Sequence, residues 1–382
     1  SIPPTFTLEE DQGMREITVR PHLYKQFGSK NGVHFRLITN SCIAGEFSID
    51  DNGMYQSVAV VPLSKSDEMN RLLEGLPRPL HVLVILPETL FQSPSQEVLG
   101  NQCKLLVIPC NSTEIASADI SHYLQVMEST DPIAQKEWSD RFFALGEKSQ
   151  FLLMVDNTFG TEAKFEHLAE DYEWFEQLGP LEYGGQQFAP SGEVSVLPLF
   201  HGNYDSERRL RVNGRISLYG LPIVNSGKPS FLRSDQNKIF QRLSVLNSHP
   251  VIATVTNGVI DSLEATSEEA RTASEMLEML FSVDSRYRII WEIGFGANTE
   301  MEVIKANRSP NESYGHRNGA IHWGLGLTPW TQYHIDIICP NTLIQSDGGE
   351  VLAGGHTNYH DLRRGIGTRI LRQAAIGCPC IA

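Results

Sequence analysis

The chain has 382 residues, 41% of them hydrophobic and 20% charged, with a formal net charge of −15. That is the composition of two or three globular domains, and the acidic balance excludes a broad nucleic-acid or anionic-membrane surface, which needs clustered Lys and Arg. No apolar run approaches the ~20 residues of a membrane span, and the opening SIPPTFTLEEDQG lacks a signal-peptide pattern, so the expected setting is soluble and cytoplasmic.

In chain order, LHVLVILP (80–87), CKLLVIPC (103–110) and QFLLMVD (150–156) read as buried strands, with helical material over 132–147 between the later two. The alternation predicts an α/β domain over residues 1–160. No GxGxxG or GxxxxGK[ST] follows these strands, so neither a dinucleotide site nor an ATP site is supported. From 161 the texture changes to hairpins, with turn signals at Asn213-Gly214 and Asn257-Gly258 between β-prone runs. The interrupted basic run Arg208, Arg209 and Arg211 reads as a solvated face. Thr266 and Glu269 have capping-box spacing ahead of Ala273, Met276, Leu277, Leu280 and Phe281, which recur at helical spacing as a core-facing stripe. Three apolar strands follow: RIIWEI, AIHWGLG and YHIDIIC. The six cysteines (Cys42, Cys103, Cys110, Cys339, Cys378, Cys380) include no CxxC pair, which argues against a disulfide scaffold. The CPC at 378–380 reads as tail sequence.

Each late strand carries a polar residue that a core does not need. In YHIDIICP, His334 and Asp336 project from one face while Ile335 and Ile337 project from the other. Glu292 interrupts Ile289-Ile290-Trp291 and Ile293, His322 sits between Ile321 and Trp323, and Glu193 enters an apolar strand after a Pro-x-Gly turn. A lone strand histidine or buried glutamate is ordinarily a satisfied core group or half of an ion pair. Two Glu, two His and one Asp together suit one or two divalent ions such as zinc, manganese, cobalt or iron.

The blocks PSGEVSVLP, TNGVIDSLE, WEIGFGANTEMEVI, NESYGHRNGAIHWGLG, HIDIICPNTLI and DGGEVLAGG, in that order, resemble the M29 (aminopeptidase T-like) metallo-aminopeptidases, whose fold group includes an iron-dependent dihydroxypyridine ring-cleaving dioxygenase. The resemblance covers roughly 150–355. It implies an α/β class with an N-terminal α/β domain (1–160), a C-terminal α+β metal-binding domain rich in hairpins (161–360) and a C-terminal tail (361–382). It implies metal ligands at Glu193, Glu292, His322, His334 and Asp336. One departure stands out: the family's tyrosine seven residues after the HxxxG histidine is Pro329 here, and only 12 positions separate His322 from His334. Tyr333 is the nearby residue able to replace that donor, and with Glu193 and Glu292 it is a catalytic candidate.

The expected function is therefore a metal-dependent enzyme acting on a peptide or small amide, rather than a general aminopeptidase. Two alternatives stand beside it. One is a peptide-binding or peptide-modifying protein of ribosomal-peptide natural-product biosynthesis of the crocagin kind. The other is an iron dioxygenase using His322, His334 and Asp336 as a 2-His-1-carboxylate set. A homodimer is a further expectation, and nucleic-acid and membrane partners are not expected.

Overall fold

Continuous apolar strands need cover on both faces, and the N-terminal part supplies it. The computed structural model describes residues 17–355, apart from 66–67, 171, 200–202, 204, 206 and 329. Strands β1 (Ile17–Val19), β2 (His34–Asn40), β3 (Phe47–Ile49), β4 (Ser57–Leu63), β5 (Leu80–Ile85) and β6 (Cys103–Ile108) are interleaved with helices α1 (Met69–Glu74) and α2 (Gln96–Leu99), then followed by α3 (Ser117–Ser129) and α4 (Pro132–Lys148). The order β6-β5-β2-β4 is parallel throughout, and a later segment, Gln186–Phe188, adds a fifth parallel strand beside β6. On one face Phe35, Leu37, Leu83, Ile85, Leu106 and Ile108 pack against Ile120, Tyr123 and Met127 of α3. On the other, Ile38, Val82, Val84, Leu105 and Val107 pack against Met69, Leu73 and Leu99 of α1 and α2. Burial on both faces explains why β5 and β6 show no apolar–polar alternation.

The rest of the chain is β7 (Leu152–Asp156), β8 (Thr161–Phe165), β9 (Glu173–Gln177), β10 (Gln186–Phe188), β11 (Glu193–Leu197), β12 (Val212–Leu218), β13 (Leu221–Asn225), α5 (Arg233–Leu243), β14 (Val251–Thr256), β15 (Val259–Ala265), α6 (Arg271–Val283), β16 (Ile290–Gly296), β17 (Ala320–Leu325), β18 (His334–Cys339), β19 (Leu343–Ser346) and β20 (Val351–Gly354). These strands build two antiparallel sheets, β13-β18-β17-β16-β11-β9 and β15-β14-β12-β8-β7-β19-β20. One hydrophobic core joins them, drawing Met154, Phe165 and Ile216 from the second sheet, Val194, Phe295, Trp323 and Ile337 from the first, and Met276 and Leu277 from α6. The chain is thus mixed α/β, with parallel strands early and antiparallel strands late. No helix among the described residues is long and apolar enough to cross a membrane.

Three local expectations need correction. Asn257-Gly258 does turn the β14–β15 hairpin, both residues at positive φ, but Asn213-Gly214 lies inside β12. There Gly214 lets the backbone of β8 approach so closely that a Cβ would sit 2.4 Å from the Glu162 carbonyl oxygen, and Asn213 Oδ1 accepts from the Asn257 N–H. The asparagine serves the neighbouring turn instead of making its own. The Thr266/Glu269 capping box does not form either: α6 starts at Arg271, the Ser267 hydroxyl accepts from the Ala270 N–H, and the Thr266 hydroxyl donates to the Pro250 carbonyl. The predicted stripe of α6 is buried as expected. Finally, the 150–156 strand, grouped by its apolar run with β5 and β6, is β7 and pairs with β8 and β19. Cys378 and Cys380 lie outside the described residues, and the four described cysteines are free.

Candidate metal centre

Strand alternation sorts β16, β17 and β18 into two chemistries. Ile293 and Phe295, Ile321 and Trp323, and Ile335 and Ile337 face the core between the sheets. Glu292, His322, His334 and Asp336 take the intervening positions and therefore share the opposite face, with Glu193 added from β11. All five are at most 6% exposed. Glycines make the room. Gly294 is the register partner of His322, and a Cβ there would lie 1.9 Å from the His322 Nε2. Gly324 lies opposite both Glu292 and Asp336, and a Cβ there would lie 2.7 Å from the Glu292 Cβ and 2.7 Å from the His334 Cε1. The space that these two residues leave empty is the space that the imidazoles occupy.

The donor atoms converge on two points. His334 Nε2 lies 2.9 Å from Asp336 Oδ1 and 3.0 Å from Glu292 Oε2. His322 Nε2 lies 3.4 Å from Glu193 Oε1 and 3.9 Å from Glu292 Oε1. Glu292, His334 and Asp336 form one three-ligand group and Glu193, Glu292 and His322 another, with Glu292 shared. His334 Nδ1 lies 2.7 Å from the Gly326 carbonyl oxygen. A proton on Nδ1 satisfies that contact and leaves Nε2 for the cluster, the arrangement typical of a ligating imidazole.

Electrostatics gives the same picture. Burial alone would lower the pKa of both histidines, but Glu193 and Glu292 around His322, and Asp336 and Glu292 around His334, outweigh it and hold both imidazoles well above their ordinary value. Burial raises Glu193, while the facing imidazoles of His322 and His334 overcome burial and draw Glu292 well below the usual carboxylate range. So much buried anionic charge requires protons or metal cations, because unpaired buried carboxylates are very costly. Neither His322 nitrogen nor Asp336 Oδ1 has a hydrogen-bond partner, although all three atoms are buried. Ligands bonded to one ion at ~2.1 Å stand roughly 3.0–3.4 Å apart, the range of the tighter contacts here. The residues present therefore fit a divalent metal, and the mixed nitrogen and oxygen set suits zinc, manganese, cobalt or iron.

A solved structure of 2,5-dihydroxypyridine dioxygenase from Pseudomonas putida KT2440 matches this chain with a TM-score of 0.54 at 16% identity, covering 88% of this chain and 94% of that one. The fold is shared with a dioxygenase. Wild-type AmpT from Thermus thermophilus matches at a TM-score of 0.43 and 11% identity, over 88% of this chain and 99% of that one. No protein-family model matches the chain, and neither does any curated protein sequence. The likeness to the dioxygenase establishes the fold, and it extends well beyond the 150–355 span over which the sequence blocks were legible.

The remaining site residues fall in different places. The Tyr333 side chain, adjacent to His334 on the strand and so directed to the other face, has its hydroxyl donating to the Leu232 carbonyl at 3.3 Å. Pro329 lies outside the described residues. Two residues absent from the sequence reading belong to the site. Asn225 at the end of β13 donates from Nδ2 to Asp336 Oδ2 at 2.9 Å and to Glu312 Oε1 at 2.6 Å. Its Oδ1 accepts from the Ser309 hydroxyl, which shares a hydrogen bond with Ser112 beyond the end of β6. Burial, then Asp336 and Glu193, push the Glu312 carboxyl well above the usual range. Glu312 falls within the block NESYGHRNGAIHWGLG, but it sits in a short 3-10 turn with no periodic pattern to mark it as a site residue. Asn225 was legible only as a polar end to the apolar run LPIVN.

Proposed function

We propose that this chain is a metal-dependent enzyme that cleaves an amide or peptide bond in a restricted substrate. The observation that carries the reading is the sharing of Glu292 between two three-ligand groups. Paired sites of this kind are common in metal-dependent hydrolysis. Glu292, His334 and Asp336 would hold one ion, and Glu193, Glu292 and His322 a second. A bound divalent ion supplies Lewis-acid polarisation of the carbonyl and a more acidic water. Asn225 orients Asp336 and Glu312 with one amide group. Glu312, only partly buried, holds a proton at the edge of the cluster and is placed to deliver it to a departing amine nitrogen. With Tyr333 engaged by Leu232 and no tyrosine at Pro329, turnover of simple aminoacyl chromogenic substrates is expected to stay near background.

A second reading rests on the fold shared with 2,5-dihydroxypyridine dioxygenase and on the residue types of His322, His334 and Asp336, a 2-His-1-carboxylate combination suited to ferrous iron, with His322 drawn in from the neighbouring three-ligand group. Metal analysis of the purified protein, with chelation and re-addition of each metal, separates the two. Two zinc, manganese or cobalt ions with metal-restored amide cleavage support hydrolysis. One iron with dioxygen uptake on a dihydroxylated ring supports the second reading. A protein that binds none of these metals overturns both.

A further inference from the structure

Linked to the ligand strands through α5 lies a cationic group that no described carboxylate pairs with. Arg233, the first residue of α5, is half-buried and stacks over the Phe231 ring at 4.7 Å. Its guanidinium donates to the Gln236 side-chain oxygen and to the Asn111 carbonyl oxygen at 3.4 Å, both uncharged acceptors. Among the described residues no carboxylate forms an ion pair with it. Glu114 and Glu88, both exposed, act on it electrostatically, and Asp235 lies in the same first turn of α5. Asn111 is itself 5% exposed, and its Nδ2 has no hydrogen-bond partner. An orphaned buried donor is costly, and this one belongs to the residue whose carbonyl oxygen Arg233 contacts. Leu232, at the N-cap of α5, contributes no side chain to the first N–H groups of the helix, and Asp235 in the first turn offsets part of their positive potential.

The position is also informative. Asn111 follows the carboxyl end of β6, the end of a parallel sheet at which ligands characteristically bind. Gln236, fully buried, donates to the Ser112 carbonyl and the Val224 carbonyl, each at 2.6 Å. Val224 precedes Asn225, which is in register with His334 and hydrogen-bonded to Asp336. Arg233 is thus tied to the ligand strands through one glutamine and one strand.

We propose that Arg233 and Asn111 form a carboxylate-recognising subsite beside the metal cluster, so that the substrate is an amide bearing a free carboxylate. This rests on the amide-cleaving reading above. In this proposal the guanidinium supplies charge-assisted hydrogen bonds and Asn111 Nδ2 a neutral one, the donor types that a carboxylate accepts.

The test uses the full chain, as purified and after chelation, with N-benzoylglycine, N-acetylphenylalanine and succinate as probes and their uncharged amides as matched controls. Calorimetric titration should show at least one carboxylate binding about tenfold or more tighter than its amide, in the chelated protein as well, where metal cannot supply the preference. Arg233→Gln should abolish the preference with metal content and melting temperature unchanged. Arg233→Lys, which keeps the charge, should retain part of it and serves as the reading variant if Arg233→Gln fails to fold. Equal affinities for every acid and amide pair, or a preference that survives loss of the guanidinium, would overturn the subsite. Failure of the metal reading would show separately, as absent metal with the carboxylate preference intact.

Discussion

The molecule buries histidines in two ways, and the contrast shows what makes the outer face of β16–β18 a site. His81 on β5 is fully buried in the N-terminal sheet, stacked on Phe27 at 4.5 Å, with Nδ1 3.1 Å from the Tyr55 hydroxyl. With no carboxylate beside it, and with Lys104 and Lys30 nearby, burial drives its pKa down to about 3, so it is neutral. His322 and His334 are just as buried but face three carboxylates, which hold their pKa well above the ordinary value in the metal-free chain. The strands look alike in burial, every residue of β5, β6, β17 and β18 being enclosed. The acidic neighbours decide whether an enclosed imidazole is packing material or a ligand.

The sharpest way to break that contrast is His334→Ala combined with Asp336→Ala. Metal binding at that group should be lost while a cooperative melt remains, since Ile335 and Ile337 still fill the core between the sheets. Normal metal content in the double variant, measured beside its thermal transition, would remove these residues from the centre. In the other region, Leu83→Ala should cost ~2–5 kcal/mol of stability by denaturant unfolding and leave metal stoichiometry untouched. A parallel loss of metal would mean that the two regions are not independent.

Asn225→Ala should weaken metal affinity roughly 10–100-fold by freeing Asp336 and Glu312, with Asn225→Asp a poorer substitute because it adds a third carboxylate to that contact. Competition with a chromogenic chelator gives the number. Acid and base should then separate the regions more gently. The raised values of His322, His334, Glu193 and Glu312 mean that the folded, metal-free chain binds more protons than the unfolded one. The histidines contribute fully below their ordinary value of 6.5 and the two glutamates below theirs of 4.5, and each contribution is lost as pH rises through the folded value. Glu292 is shifted the other way, and its contribution is lost only in acid. The melting temperature of metal-free protein should therefore fall from about pH 6 to about pH 9, and added zinc should flatten the slope. The smallest effect belongs to His81→Phe, which keeps the ring on Phe27 and loses the Tyr55 hydrogen bond. It should cost ~1 kcal/mol with metal affinity unchanged.

The sequence by itself determined the elements and the candidates. Continuous apolar runs marked β5 and β6, the 3.6-residue stripe marked α6, and polar residues at alternate positions of otherwise apolar strands marked Glu292, His322, His334 and Asp336, because a side chain's face follows from its position along a strand. The tertiary structure decided which faces meet. Asn213-Gly214 carries the same dipeptide as a true turn, yet close approach of β8 made it strand. Gly294 and Gly324 matter because of what lies across the register from them, which strand pairing fixes and composition does not. Glu312 and Asn225 enter the centre, and Arg233 and Asn111 meet one another, from segments far apart in the chain. Their neighbours are set by packing of the parallel sheet's carboxyl end against the outer face of the antiparallel one, a contact that no local pattern encodes.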